Sequence, residues 1–188
     1  MLCQACFTPC PGAVCSRCRA DLRPAPERVL PGGIRLVAAF EHVGAARELV
    51  HGFKYRGLTA YADLVVEAVA TRVPRLPIVP VPRAWSRQMT HGIDPAFELA
   101  RRLARYLDVP LCQTLLAPVH SRRRAGGDHS RPPAQFATNG PVPPRFVLVD
   151  DVVTTGATVL SATKSLESGQ LTLVVAANVT DTVSSPPV

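Results

Sequence analysis

The apolar positions change period several times along the chain. Ile34 to Phe40 is a short apolar run that reads as a strand, and Ala45 to Tyr55 follows with Leu49, Val50, Phe53 and Tyr55 on one side of a helix. Tyr61 to Val73 continues as a helix built from strong helix formers. Leu76 to Val81, LPIVPV, is short, apolar and punctuated by prolines, which suits the start or edge of a buried strand. After the loop PRAWSRQMTHGID, Pro95 to Leu107 predicts a helix with Asp94 as N-cap and Pro95 in the favoured first position. Val109 to Ala117 is a further strand candidate, and Pro118 to Pro144, with nine prolines or glycines and little periodicity, predicts a long loop. Phe146 to Asp150 reads as a strand, Thr158 to Ser168 as a helix and Leu171 to Asn178 as a last strand. Strands alternating with helices predict an α/β fold, a mostly parallel sheet with helices on both faces.

The N-terminal part does not follow that rhythm. Residues 1–22 are rich in cysteine, and 23–33, RPAPERVLPGG, hold three prolines and two glycines, so they read as a linker between a small module and a domain spanning 34–183. A length of 188 residues accommodates one ordinary α/β domain plus such a module. No apolar run approaches the ~20 residues that span a bilayer, and MLCQACFTPC lacks the basic start and apolar middle of a signal peptide. A soluble cytoplasmic protein is the expectation.

Charge sharpens the picture. The net charge is +7, but residues 1–145 carry 20 of the 21 Lys and Arg against 10 acids, while the rest carry Lys164 against Asp150, Asp151, Glu167 and Asp181. A basic body suits a polyanionic partner such as a phosphorylated small molecule or nucleic acid, and a compositional bias toward arginine would give the same pI. Arg101, Arg102 and Arg105 lie on one side of the predicted helix, as a nucleic-acid stripe or as a solvated face, and Trp85 could stack on a base.

Five of the six cysteines lie in the first 18 residues, and Cys3 with Cys6 and Cys15 with Cys18 form two Cys-x-x-Cys pairs. Each tight turn aims two sulfurs at one centre, so the pairs predict a structural zinc site with no open position for catalysis. Cys10 competes with Cys15 for the fourth position, and Cys15 is preferred because it completes the pair with Cys18. Cys112 stands alone.

The remaining chemistry is in Phe146 to Val159, FVLVDDVVTTGATV. Ligands of parallel α/β sheets sit beyond the carboxyl ends of the strands. There Asp150 and Asp151 can accept hydrogen bonds from neighbouring sugar hydroxyls or help hold Mg²⁺ through water. Thr154, Thr155, Gly156, Ala157 and Thr158 follow as a turn with hydroxyl donors and outward amides at a helix start, an anion site. A sugar phosphate satisfies both halves at once. Neither a P-loop ending in Gly-Lys-Ser/Thr nor a G-x-G-x-x-G run occurs.

LVDDVVTTGATV resembles the phosphoribosyl-pyrophosphate signature of type I phosphoribosyltransferases. With the four-cysteine knuckle in front, and HGFKYRG and IVPVP in the family's order, nearly the whole chain resembles the ComF family of competence-associated, phosphoribosyltransferase-like proteins. The resemblance implies ribose hydroxyls on Asp150 and Asp151, the 5-phosphate on Thr154 to Thr158, and Mg²⁺ accompanying phosphoribosyl pyrophosphate or another ribose phosphate. It implies a pyrophosphate-facing loop after IVPVP, with Arg83, Arg87, His91 and Gly92, and a flexible hood over Pro118 to Pro144. Lys54 and Arg56 of HGFKYRG could reach the diphosphate. It also implies an association with competence and DNA uptake, in which the basic body could bind single-stranded DNA and the cysteine knuckle could dock on a protein of the competence machinery. Where the family has an Arg-Gly-Phe-Asn-Gln-like run, this chain has His91-Gly92-Ile93-Asp94-Pro95, which puts His91 in place of the arginine that the resemblance implies near pyrophosphate.

Overall fold

The computed structural model describes residues 1–83, 93–116 and 135–180. The central sheet is built from β1 (Arg28–Leu30), β2 (Ile34–Glu41), β3 (Ile78–Pro80), β6 (Arg145–Val153) and β7 (Gln170–Val179), in the order β1-β2-β7-β6-β3. β1 runs antiparallel to β2, and the β2–β7, β7–β6 and β6–β3 pairs are parallel. β4 (Leu115–Leu116) and β5 (Ala137–Thr138) make a separate two-stranded antiparallel ladder. The helices are α1 (Ser16–Ala20), α2 (Gly44–Arg56), α3 (Ala60–Val69), α4 (Pro95–Leu107) and α5 (Ala157–Ser165). No helix among the described residues is long and apolar enough to cross a membrane.

Parallel strands covered on both faces need apolar side chains on both, which is why VLV in β6 and LVVAA in β7 are unbroken runs. Val147, Val149, Val175 and Ala177 point to one face and pack with Leu49 and Phe53 of α2, Val65 of α3 and Leu99 and Leu103 of α4. Phe146, Leu148, Val174 and Ala176 point to the other and pack with Val159 and Ala162 of α5. Each fully buried leucine or phenylalanine here contributes about 1.5–3 kcal/mol relative to exposure.

The chain leaves β3 toward α4 on the first face and leaves the adjacent strand β6 toward α5 on the second. Neighbouring strands whose following helices diverge to opposite faces open a crevice at their carboxyl ends, the position where α/β sheets bind ligands.

Several expectations need correction. Residues 28–30, inside the stretch read as a linker, form edge strand β1, because Pro24, Pro26 and Pro31 flank the three residues and leave their ladder to β2 intact. The strand predicted over Val109 to Ala117 reduces to a single bridge of Leu111 to Ile78 and to β4, since Pro110 has no N–H to extend a ladder. β5 lies within the stretch read as a continuous loop. β6 extends three residues past Asp150, and α5 ends at Ser165. The helix predicted to Val73 ends at Val69 and passes into a 3₁₀ turn over Ala70–Arg72. Residues 117–134, most of the expected hood, and 181–183 of the expected domain lie outside the described residues.

The cysteine module packs against the α2 side of the sheet. Cys3, Ala5 and Cys18 are buried in the same core as Leu49 and Phe53. Asp21, just past α1, reaches across to α2: the Ala45 N–H donates to its Oδ2 at 2.7 Å, while Val43 at the N-cap position supplies no side-chain bond. The carboxylate therefore caps α2 from outside the helix.

Candidate functional site

At the carboxyl edge of β6 the strand alternation separates the two adjacent acids. Alternation puts Asp150 in line with Phe146 and Leu148 of the α5 face, and Asp151 in line with Val147 and Val149 of the other face, where Lys54 of α2 meets it. Asp151 is half-buried and ion-paired, its Oδ2 3.0 Å from Lys54 Nζ in the last turn of α2. Asp150 is 8% exposed, and its Oδ1 accepts the Asp151 backbone N–H at 2.8 Å. Burial, with the neighbouring Asp151 charge next, pushes the Asp150 carboxyl up to about 8, against the opposing Asp151 N–H and the charge of Lys54. The two acids are thus unequal: Asp151 is ion-paired with Lys54, and burial makes Asp150 hold its proton to higher pH than an ordinary carboxyl.

The turn after β6 lies where the sequence places it. Gly156 sits at φ 77°, the left-handed region, with no side-chain cap on α5. A Cβ there would come within 3.2 Å of Leu30 Cδ2 of β1, so both its backbone angle and its neighbour favour glycine. Thr154 and Thr155 are exposed, and the Thr155 hydroxyl accepts the Ala157 N–H at 3.4 Å. Gly156, Ala157 and Thr158 open α5, so their amides and the positive end of its dipole face outward, which favours an anion.

Of the pyrophosphate candidates, Lys54 and Arg83 are described, and Arg87, His91 and Gly92, with Trp85, lie outside the described residues. Arg83 Nη1 donates to the Lys54 carbonyl at 3.0 Å and the Ile93 carbonyl at 3.3 Å, and its guanidinium lies over the Tyr55 ring, 5.4 Å from the centroid. Its backbone N–H donates to Asp94 Oδ2 at 2.8 Å, while Asp94 Oδ1 accepts from Phe97 N–H at 3.2 Å. Asp94 is the N-cap the sequence predicts and also clasps the two ends of the loop after β3. Burial raises its pKa against those N–H donors. Arg83 thereby fixes the strand–loop junction beside Lys54.

The sequence reading missed a second polar group at this edge. Tyr61 and Asn178 are fully buried, and Tyr61 Oη donates to Asn178 Oδ1 at 2.5 Å. Asn178 Nδ2 lies 3.2 Å from His42 Nδ1. A polar Asn closing the apolar run LVVAAN, and a His directly after β2, were the available signals.

Arg101 and Arg102 do not form a free stripe. Arg101 bonds Glu98 through two nitrogens, at 2.8 and 2.7 Å, and Arg102 bridges Glu98 and Asp63. They form a surface ion-pair network between α3 and α4.

At the N-terminus the thiols of Cys3, Cys6, Cys15 and Cys18 all lie within 4.8 Å of one another. Cys6 Sγ and Cys15 Sγ are 3.8 Å apart. A tetrahedron with metal–sulfur bonds of about 2.3 Å has sulfur–sulfur edges of about 3.8 Å, so the donor set fits zinc. Burial pushes the Cys3 thiol up, but backbone N–H groups of Cys6, Cys15 and Ala5 outweigh it and bring the pKa to about 6. Burial, then the neighbouring sulfurs, pushes Cys18 well above the ordinary thiol range. One sulfur ready to be a thiolate beside another that resists a second negative charge is a cluster whose full ionisation calls for a cation. Cys10 is not in the group, and its Sγ donates to the Gly12 carbonyl at 2.9 Å.

No protein-family model and no curated protein matches the chain. Among solved structures it is similar to the crystal structure of orotate phosphoribosyltransferase from Aeropyrum pernix. The TM-score is 0.38 and the sequence identity 20%, over 85% of this chain and 76% of that chain. An overlap this loose carries no assignment of residues.

Proposed function

We propose that the crevice at the carboxyl ends of β3 and β6 binds phosphoribosyl pyrophosphate, and that the chain is a cytoplasmic, phosphoribosyltransferase-like protein of the ComF kind. The observation that carries this reading is one continuous stretch, Asp150 to Thr158, in which two acids at a strand edge lead into a glycine-capped helix start. Asp150 and Asp151 accept from the ribose hydroxyls, and the amides of Gly156, Ala157 and Thr158 with the hydroxyls of Thr154, Thr155 and Thr158 take the 5-phosphate. Lys54, with Arg83 holding the loop beside it, stands at the diphosphate side. Mg²⁺, when bound with the ligand, supplies charge neutralisation on the diphosphate. The four cysteines hold structural zinc.

For transfer to an acceptor, the bond from the anomeric carbon to the diphosphate breaks as the acceptor's lone pair forms the new one. Positive charge then grows on the ring. The chain's part is to fix the ribose on Asp150 and Asp151 and to hold the leaving diphosphate near Lys54. Titration with phosphoribosyl pyrophosphate and Mg²⁺ tests the reading. At pH 9, Asp150→Asn with Asp151→Asn loses at least about 100-fold in affinity, two charge-assisted bonds at about 1.5–3 kcal/mol each. Equal affinity contradicts it. Pyrophosphate release with a panel of bases and amines tests transfer.

The excess of basic residues over 1–145 favours a second reading, a non-catalytic competence factor that keeps the ribose-phosphate pocket, binds single-stranded DNA and docks on a protein of the uptake machinery. It predicts DNA affinity that falls steeply with salt. Absent or salt-independent binding removes it.

A further inference from the structure

The chain Tyr61–Asn178–His42 links the core to the same edge as Asp151, and its hydrogen bonds can be ordered from the inside outward. The Tyr61 hydroxyl is wholly buried and, packed beside Phe40 in an apolar core, needs an acceptor for its proton. Asn178 Oδ1 supplies it at 2.5 Å, which turns the amide Nδ2, a donor only, toward His42. His42 Nδ1, 3.2 Å away, must therefore carry the lone pair, and the ring proton sits on Nε2. The two ring nitrogens flank one carbon and their outward directions diverge, so on the half-buried His42 an inward Nδ1 turns Nε2–H away from Asn178. His42 is itself pinned by its backbone, whose N–H donates to the Val179 carbonyl at 2.8 Å. Asn178 is opposite Val152 in the sheet register, next to Asp151.

We propose that His42 is a ligand-binding residue of this edge, a neutral imidazole locked with its proton on Nε2, that donates a hydrogen bond to a diphosphate oxygen of the phosphoribosyl ligand. This rests on the ribose-phosphate reading of the site and adds a donor to it. The charged groups facing His42 are Lys54 and Arg47 of α2 and Asp151 of β6. Burial first, then the two cations, lower its pKa, with Asp151 opposing. Protonating Nδ1 would also force Asn178 to turn its acceptor outward and leave the Tyr61 proton without one. The imidazole thus stays a donor without adding a charge beside the Lys54–Asp151 pair, and a phosphoryl oxygen, which only accepts, is its complement.

Two measurements test this. Nitrogen-15 spectra of histidine-labelled protein should show His42 with Nε2 protonated and Nδ1 bare at pH 7, titrating below the ordinary histidine range. Tyr61→Phe, which removes the buried proton, should raise that pKa and mix the tautomers. A protonated Nδ1, or no response to Tyr61→Phe, overturns the lock. For binding, His42→Leu should weaken phosphoribosyl pyrophosphate with Mg²⁺ by about tenfold, one hydrogen bond's worth. His42→Gln, whose amide can replace Nε2–H, should restore most of it, and ribose 5-phosphate, which has no diphosphate, should bind all three proteins alike. Unchanged phosphoribosyl pyrophosphate affinity in His42→Leu overturns the role of His42 alone. Failure of both probes to bind the parent protein contradicts the reading of the whole site, and this role with it.

Discussion

Asp150 is where the chain departs furthest from what stability alone would select. A carboxyl buried beside a second one, pushed up to about 8, is far above its unfolded value. It binds its proton more tightly folded than unfolded, so its contribution to stability is complete below the ordinary carboxylate range and is lost as pH rises through about 8. The unliganded protein should therefore melt at lower temperature at pH 9 than at pH 6. Asp150→Asn should flatten that slope and be the more stable protein at pH 9, by on the order of 1–3 kcal/mol. Binding moves the opposite way, because the carboxylate is the form that accepts from ribose hydroxyls. Affinity for ribose 5-phosphate should rise from pH 7 to pH 9 in the parent and stay flat in Asp150→Asn. The sequence placed Asp150 and Asp151 at a strand edge because four apolar residues precede them. It could not show that the two have different partners, since Lys54, which pairs with Asp151, comes from α2.

At the scale of elements, the cysteine module and α2 depend on each other through Asp21 and Gly44. Gly44 holds φ 48° and lies directly against the Asp21 carboxylate, so Gly44→Ala meets both an unfavourable backbone angle and a contact. It should cost about 1–3 kcal/mol in a denaturant or thermal melt, and an unchanged midpoint would remove Asp21 as the cap of α2. Because Asp21 follows α1 directly, metal loss should reach the larger domain. Chelation should lower the melting temperature of the whole chain, and Cys15→Ser should do the same, whereas Cys10→Ser should leave metal content and melting unchanged. The α4 boundaries were legible, since Asp94 and Pro95 are strong local signals and Asp94 does bond the Phe97 N–H. β1 was not, because prolines on either side of three residues mask an edge strand whose partner lies in β2. Nor was the polar group at the edge: His42, Tyr61 and Asn178 carry no common motif, and they meet through the β2–β7 pairing and the packing of α3 on that sheet.

For the whole molecule, the order β1-β2-β7-β6-β3 is what makes a site of scattered residues. It sets the end of β3 beside β6, with α4 and α5 on opposite faces, and leaves Lys54 at the edge, paired with Asp151. The basic charge is also a property of the whole chain, yet the arginines of α4 are largely spent on Glu98 and Asp63. The proposed ligand spans the acids of β6 and the start of α5. Titrating nitrogen-15-labelled protein with ribose 5-phosphate tests it most directly. Saturable shifts with a single affinity are expected at the amides of Gly156, Ala157 and Thr158 and at Asp150 and Asp151 together. Shifts confined to the arginine face of α4, or absent from the Gly156 turn at saturation, would contradict it.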